Sequence, residues 1–224
     1  MYLFILVFIA SYGIQWILKS KFAKYSQTAL QSNLSGKEVA EMMLKDNFIY
    51  DVKVESVEGQ LTDHYDPSKK TVNLSREVFF GRNAAAVAVA AHEVGHAVQH
   101  AQAYSWLSFR SAMVPMLTVT SRFMSIILLA GIFMMQMTPI PLAIGVALFA
   151  LTTLFSFITL PVEFDASARG LQYISTRGVV TPGEYALSKD ALRWAAMTYV
   201  VAALGSLATL LYYASFLMGG GRRD

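Results

Sequence analysis

Cysteine is absent from this chain of 224 residues. Its absence excludes disulfide bonds, and it also excludes thiolate ligands for a metal ion. A metal ion in this protein must therefore be bound by histidine and by aspartate or glutamate. Only four histidines are available, and all of them lie between positions 64 and 100.

Charged residues are also scarce, at 15% of the sequence, whereas an ordinary soluble domain has about a quarter. Hydrophobic residues make up 55%, and the mean hydropathy is +0.45. This composition is typical of a membrane protein, so the lipid bilayer is an expected partner. The net charge of +3 is small, and Lys19, Lys21 and Lys24 follow an apolar stretch rather than forming a basic stripe. A nucleic-acid-binding function therefore has no support.

Four apolar stretches are long enough to cross a bilayer, because a transmembrane helix needs about 20 mostly apolar residues. We predict an N-terminal anchor at residues 1–18, a transmembrane helical hairpin at 112–160 and a C-terminal transmembrane helix at 193–218. Residues 1–18 lack the basic start and the cleavage site of a secretory signal, so we expect them to be retained. Pro139 and Pro141 mark the hairpin tip. Arg122 interrupts the first arm, where it is expected to snorkel or to face protein. The last residues, 219–224, are expected to form a flexible tail.

Two polar segments lie between these stretches, at residues 19–111 and 161–192. In the first, Ser35 and Glu38 form a capping box that begins a helix, and Asn83 can cap a longer helix. Alternating apolar and polar residues on both sides of a turn at 66–69 predict a short sheet with a hairpin. The predicted fold is a mainly α membrane protein, with about four transmembrane helices and a small α+β domain that contains the sheet.

The two polar segments are expected to lie on the same side of the membrane, because the helical hairpin between them crosses it twice. Lysine and arginine are frequent in both segments and absent from the hairpin tip, which favours the cytoplasmic side for both. The two arginines of the tail argue the other way.

The segment His92-Glu93-Val94-Gly95-His96 is the pattern that carries chemistry. On a helix, His92 and His96 lie one turn apart on the same face, so both imidazoles can bind one Zn²⁺ ion. Glu93 lies beside them, where it can serve as the general base for an attacking water. Such a motif indicates a zincin-like domain at 19–111, a single zinc ion per chain and hydrolytic chemistry.

The third ligand is sought by elimination. Gln102 occupies the position at which a metzincin has its third histidine, and His100 lies about 12 Å from His92 along the helix axis, too far to share an ion. Glu163 is the first acid after the hairpin, close to Pro161 at a predicted helix start, and is the expected ligand. Asp165 points about 200° away from Glu163 on that helix and is expected to pair with Arg169 or to orient a ligand histidine. Asp165 as the ligand, or an acid without metal, remain alternatives.

The remaining candidates are polar residues that could contact the substrate or the ligands. Asp63, His64, Tyr65 and Asp66 are candidates for substrate binding, although hairpin residues of this kind often bond their own backbone instead. His100 is a further candidate, with a plain helix-end histidine as the alternative. The donor that stabilises the oxyanion stays open among His64, Tyr65, Arg169 and Tyr173.

Three segments resemble the neutral zinc metallopeptidases of bacterial membranes that are often called YugP-type. They are residues 61–67 (LTDHYDP), 89–99 (VAAHEVGHAVQ) and 160–167 (LPVEFDAS), with residues 195–200 (AAMTYV) as a less specific fourth. The resemblance implies a multi-pass zinc peptidase of the bacterial plasma membrane, in which His92 and His96 bind zinc and Glu93 is the acid/base. The order of segments is also similar to HtpX-type membrane proteases, in which a glutamate after a hairpin binds the metal. Ser167 stands where those proteases have an aspartate.

The resulting interpretation is a zinc endopeptidase at the membrane surface that acts on membrane polypeptides or on polypeptides brought to the membrane. Two alternatives stay open: a non-catalytic protein with a structural zinc clamp, and a site-2-type intramembrane protease. The apolar stretch before His92 is too short to span a bilayer, which argues against the second. Protein partners are not indicated by any segment.

Overall fold

The computed structural model describes residues 2–219, with side chains described from Ile5 onward. Its helices and strands are α1 (Tyr2–Tyr25), α2 (Gly36–Asp46), β1 (Lys53–Val57), β2 (His64–Asp66), β3 (Thr71–Ser75), α3 (Arg76–Phe79), α4 (Ala84–Ala101), α5 (Ser105–Met134), α6 (Ile140–Thr176) and α7 (Pro182–Gly219). The predicted mainly α fold with a small sheet is confirmed. Of the predicted tail at 219–224, Gly219 is the last residue of α7, and the others lie outside the described residues.

Four helices of the described part, α1, α5, α6 and α7, are long and apolar enough to cross a membrane. Helix α5 packs against α6, α6 against α7, and α7 against α1, so the four helices form a row. The α5–α6 hairpin is tight at its tip, because Gly131 lies directly against the backbone of Leu142. Between α6 and α7, the hydroxyls of Thr153 and Ser206 lie 2.8 Å apart and form a hydrogen bond.

Helix α6 differs from the sequence prediction at Pro161. A helix start was expected there, but Pro161 lies inside one uninterrupted helix that continues to Thr176. Proline removes one backbone hydrogen bond and kinks a helix, yet packed membrane helices accept it because neighbouring groups satisfy the freed carbonyl. The second arm of the hairpin and the segment that contains Glu163 therefore form one continuous helix.

Helix α4 is the centre of the polar domain and is buried along almost its whole length. Asn83 caps it by accepting a hydrogen bond from the Ala86 amide at 2.9 Å, as predicted. The capping box of Ser35 and Glu38 at the start of α2 is also confirmed. Alanine-rich helices can be packed closely on several sides, and α4 contacts α2, α6 and α7. This packing holds α4 against the C-terminal part of α6 and the N-terminal part of α7.

The sheet has the strand order β1-β3-β2. Strand β1 pairs with β3 in parallel, and β2 pairs with β3 antiparallel through the predicted hairpin. Strand β2 is therefore an edge strand, and it lies against α4. His64 and Tyr65 of this strand line a cavity together with His92 and His96.

Two glycines set the distance between α4 and α6. A Cβ atom on Gly95 would lie 2.5 Å from the carbonyl oxygen of Ala166, and one on Gly170 would lie 2.8 Å from the carbonyl carbon of Ala91. Only glycine permits so close an approach of two backbones. This close contact lies beside the residues described next.

Candidate metal and catalytic site

The side chains of His92, His96 and Glu163 converge where α4 crosses α6. One ligand atom from each lies within 4.8 Å of the other two. Glu163 Oε2 is 3.4 Å from His92 Nε2 and 3.6 Å from His96 Nε2. Those distances are too long for good hydrogen bonds. They match the separation of about 3.4 Å expected between two ligands that each lie about 2.0–2.1 Å from one tetrahedral ion.

Each histidine directs Nε2 toward Glu163 and is oriented by a hydrogen bond at its second ring nitrogen, Nδ1. His92 Nδ1 lies 3.0 Å from the hydroxyl of Ser167, and His96 Nδ1 lies 3.0 Å from Gln99 Oε1. The Gln99 amide nitrogen donates to the Val162 carbonyl and to Asp165, each at 2.8 Å, so its oxygen must face His96 as an acceptor. This fixes the tautomer of His96 with a proton on Nδ1 and a lone pair on Nε2.

Glu163 has one carboxylate oxygen that is paired and one that is not. Glu163 is 3% exposed, and its Oε2 is a buried oxygen for which no residue of the described part is a hydrogen-bond partner. Its other oxygen lies 3.3 Å from a guanidinium nitrogen of Arg110. A buried acceptor that has no donor is costly, and a cation held by Oε2 and the two Nε2 atoms would satisfy it. The residues therefore fit a zinc ion.

Glu93 is buried beside the two histidines, with an exposed fraction of 7%. Burial raises the pKa of its carboxyl group, and the neighbouring His92 and His96 partly oppose this shift. A carboxylate whose pKa has been moved toward neutrality is suited to accept and return a proton.

Two cavities meet at these residues, and both are lined by His92, Glu93 and Glu163. The first has a volume of about 370 Å³ and extends toward α1 and α7, where Gln15 and Leu192 line it. The second has a volume of about 630 Å³ and extends between the sheet and α5. The site is therefore open in two directions.

The structure places His64, Tyr65 and His100 on the wall of the second cavity. The Tyr65 hydroxyl lies 2.8 Å from His100 Nδ1, and His64 Nδ1 lies 2.7 Å from the Thr62 carbonyl. Asp66 does not line either cavity. It accepts hydrogen bonds from Ser68 and Lys69 in the hairpin turn, which is the backbone-bonding alternative.

Asp165 and Arg169 lie behind the metal-site residues rather than in the cavities. Asp165 accepts from Arg169 Nε at 2.5 Å and from Gln99, so it both pairs with the arginine and orients a histidine through an amide. Arg169 in turn donates to Gln102 at 2.6 Å.

Sequence reasoning did not select Tyr199, Arg110 or Gln99 for this site, and it considered Asp63 only as a hairpin or substrate-side residue. Tyr199 of α7 and Asp63 line both cavities, and Arg110 lines the second. Asp63 accepts from the Ser75 amide at 2.7 Å and is held at the end of β3. Gln99 is fully buried. The only sequence signal for them was position: Asp63, Gln99 and Tyr199 fall within segments that carried the resemblance, whereas Arg110 had none.

The comparisons agree with this geometry. A family described as "Putative neutral zinc metallopeptidase" matches residues 1–218. The protein named "Putative membrane protease YugP" of Bacillus subtilis (strain 168) is 41% identical over 222 residues, which cover 97% of this chain and 98% of the relative. No solved structure matches the chain. The chain belongs to this family, described as "Putative neutral zinc metallopeptidase".

Proposed function

We propose that the protein is a membrane-embedded zinc endopeptidase of the gluzincin type, with one zinc ion per chain held by His92, His96 and Glu163. The observation that carries the proposal is the convergence of two imidazole Nε2 atoms and one orphaned carboxylate oxygen in a buried site. Two nitrogens and one oxygen leave a fourth position open, which is the form of a catalytic site.

Zinc bound there would acidify a water and polarise the carbonyl of a scissile peptide bond. Glu93 lines both cavities and would take the proton of the attacking water and deliver it to the departing amine. Its burial favours the proton-accepting role, because the same burial that raises its pKa also removes competing water.

Stabilisation of the developing oxyanion needs a donor on the cavity side of the site. Tyr199 lines both cavities together with Glu93 and Glu163, and its hydroxyl is the donor that we assign to this task. Arg110 binds the outer oxygen of Glu163 and so holds that carboxylate in place. Two of the four earlier candidates for the oxyanion donor are engaged elsewhere, since Tyr173 bonds Asp46 at 2.6 Å and Arg169 bonds Asp165. The other two, His64 and Tyr65, line the second cavity but not the first.

The open cleft supports endopeptidase rather than exopeptidase action. Cavities leave the site on both sides of Glu93, so a chain can continue past the scissile bond in both directions. Strand β2 offers a free edge beside the second cavity, along which an extended substrate could add as a strand. His64 and Tyr65 would then contact substrate side chains.

The substrates that we propose are membrane proteins or polypeptides brought to the membrane. Glu163 lies about 34 Å along α6 from the hairpin tip at 1.5 Å per residue, roughly the thickness of the hydrocarbon layer. That length supports a site at a membrane surface, and the lysine and arginine distribution favours the cytoplasmic face of the plasma membrane. Helix α4 is not among the four candidate spans, which argues against a metal helix inside the bilayer.

The test is cleavage of casein by the detergent-solubilised protein, with and without a zinc chelator. Glu93→Gln should retain stoichiometric zinc and lose activity by about 10²–10⁴-fold, the usual contribution of a general base. Glu163→Gln should lose zinc as well as activity. Glu41→Gln, at an exposed position on α2, is the matched control and should behave like the unchanged protein. If Glu93→Gln cleaved casein at the normal rate, or if chelation left cleavage intact, the peptidase assignment would be wrong and a structural zinc clamp would be favoured.

A further inference from the structure

Arg122 is a cation in the middle of a membrane-spanning helix, and it points away from the protein. Its side chain is exposed, and no residue of the described part forms an ion pair or hydrogen bond with it. The other arginines of the candidate spans are Arg110, Arg169 and Arg193. Arg110 and Arg169 form ion pairs with Glu163 and Asp165, and Arg193 lies three residues after Asp190.

The depth of Arg122 follows from its neighbours on α5. Arg110, which contacts Glu163, marks the membrane surface on one side, and Met134 ends the helix at the other. Arg122 is twelve residues from each, or about 18 Å at 1.5 Å per residue. It therefore lies close to the centre of a hydrocarbon layer about 30 Å thick. About 15 Å of hydrocarbon separates it from either headgroup layer, beyond the reach of an arginine side chain.

The direction of Arg122 follows from helical geometry. Met124, Leu128 and Gly131 are the buried residues that α5 turns toward α6 in this half of the helix. Arg122 is rotated by about 200° from Met124 at 100° per residue, so it lies on the opposite face. Thr118 and Ser125, both exposed, lie on that outer face at spacings of four and three residues. These are the spacings at which one helix contacts another.

An unpaired arginine in hydrocarbon is unfavourable, and such residues are normally paired with an acid or face a polar pathway. A second copy of this chain has no acid to offer at that depth, because residues 1–37, 111–162 and 191–223 contain no aspartate or glutamate. A symmetric dimer through this face would bring two Arg122 side chains together. The complementary charge must therefore come from a different protein.

We propose that the outer face of α5 is a docking surface for a transmembrane helix of another protein, and that this helix carries an aspartate or glutamate near mid-membrane. Arg122 pairs with that carboxylate. The small hydroxyl-bearing side chains of Thr118 and Ser125 let the helix approach closely. Arg122 lines neither of the two cavities at the metal site, so docking of this kind does not require hydrolysis.

The experiment uses the full chain, labelled with a donor fluorophore and reconstituted in phosphatidylcholine vesicles at pH 8 in the presence of a zinc chelator, so that hydrolysis plays no part. The probe is an acceptor-labelled transmembrane peptide of leucine and alanine with one central glutamate. Peptides with central glutamine or lysine are its controls, and binding is measured by energy transfer. We expect the glutamate peptide to bind about tenfold more tightly than the glutamine peptide.

Substitution of Arg122 decides whether that preference arises from the proposed pair. Arg122→Gln should abolish the preference, and Arg122→Glu should shift it to the lysine peptide. Arg193→Gln, which removes an exposed arginine from α7, should leave it unchanged. Equal binding of the glutamate and glutamine peptides, whether tight or undetectable, overturns the proposal, and so does a preference that survives Arg122→Gln.

Discussion

Substitution of Gly95 by alanine should weaken zinc binding although it removes no ligand. The added Cβ would lie 2.5 Å from the Ala166 carbonyl oxygen and 3.0 Å from its Cα. An ordinary contact needs about 3.4 Å, so α4 and α6 must separate by about 0.9 Å. The distances of 3.4 and 3.6 Å that join Glu163 to the two histidines would then lengthen toward 4.5 Å. Zinc sites tolerate deviations of only about 0.2 Å.

The expected loss of zinc affinity is about 10–100-fold, comparable with the loss of a residue that orients a ligand. Overpacking of this size costs about 1–3 kcal/mol of folding stability, so the variant should remain folded, as circular dichroism can verify. Affinity is measured by competition with a chromophoric chelator. Gly13→Ala makes the same change in α1, where no atom of the described part lies within 4 Å of the added Cβ, and it serves as the control. A folded Gly95→Ala variant that binds zinc as tightly as the Gly13→Ala variant would refute the view that backbone contact sets the ligand spacing.

Three further outcomes are expected. Tyr199→Phe should lower kcat by about 10–10³-fold with little change in KM, because an oxyanion donor acts mainly in the transition state; an unchanged kcat would exclude that role. Gln99→Leu should cost about 10–100-fold in zinc affinity, whereas normal binding in a chelator competition would show that the hydrogen bond to the histidine is dispensable. Hydrogen bonds from Tyr173 and Arg177 lower the pKa of Asp46. This contact between α2 and the end of α6 therefore stabilises the folded state at pH values above the unfolded-state pKa of about 3.9. The stabilisation is lost as the pH falls through the lower pKa of the folded state. Asp46→Asn should therefore reduce stability at pH 7 by about 0.5–1 kcal/mol and unfold like the unchanged protein near pH 2; an equal difference at both pH values would contradict the assignment.

Local signals predicted much of the architecture. Helix α2 was predicted from its capping box and α4 from Asn83, because caps act within one turn. His92 and His96 share a face through helical periodicity alone. Glu163 was selected because the sequence contains so few acids after the hairpin, and the structure brings it to the two histidines.

Features that depend on how distant helices meet were not accessible. Tyr199 reaches the cavities only because α7 packs on α6, and Gln99 is a site residue only because α6 presents Val162 and Asp165 to it. The contact at Gly95 requires knowledge of the α4–α6 crossing. Pro161 was read as a helix start since proline usually ends a helix in water, a rule that membrane packing relaxes.

The continuity of α6 couples the metal site to the surrounding lipid. Glu163 lies on α6, one of the four candidate membrane-spanning helices, while both histidines lie on α4 in the polar domain. A bilayer that thickens or thins makes a spanning helix tilt or shift. Such a movement displaces the carboxylate first and reaches the imidazoles only through the contacts of α4 with α6 at Gly95 and Gly170. The acyl-chain length of the surrounding lipids thus affects the position of the Glu163 carboxylate relative to the two imidazoles.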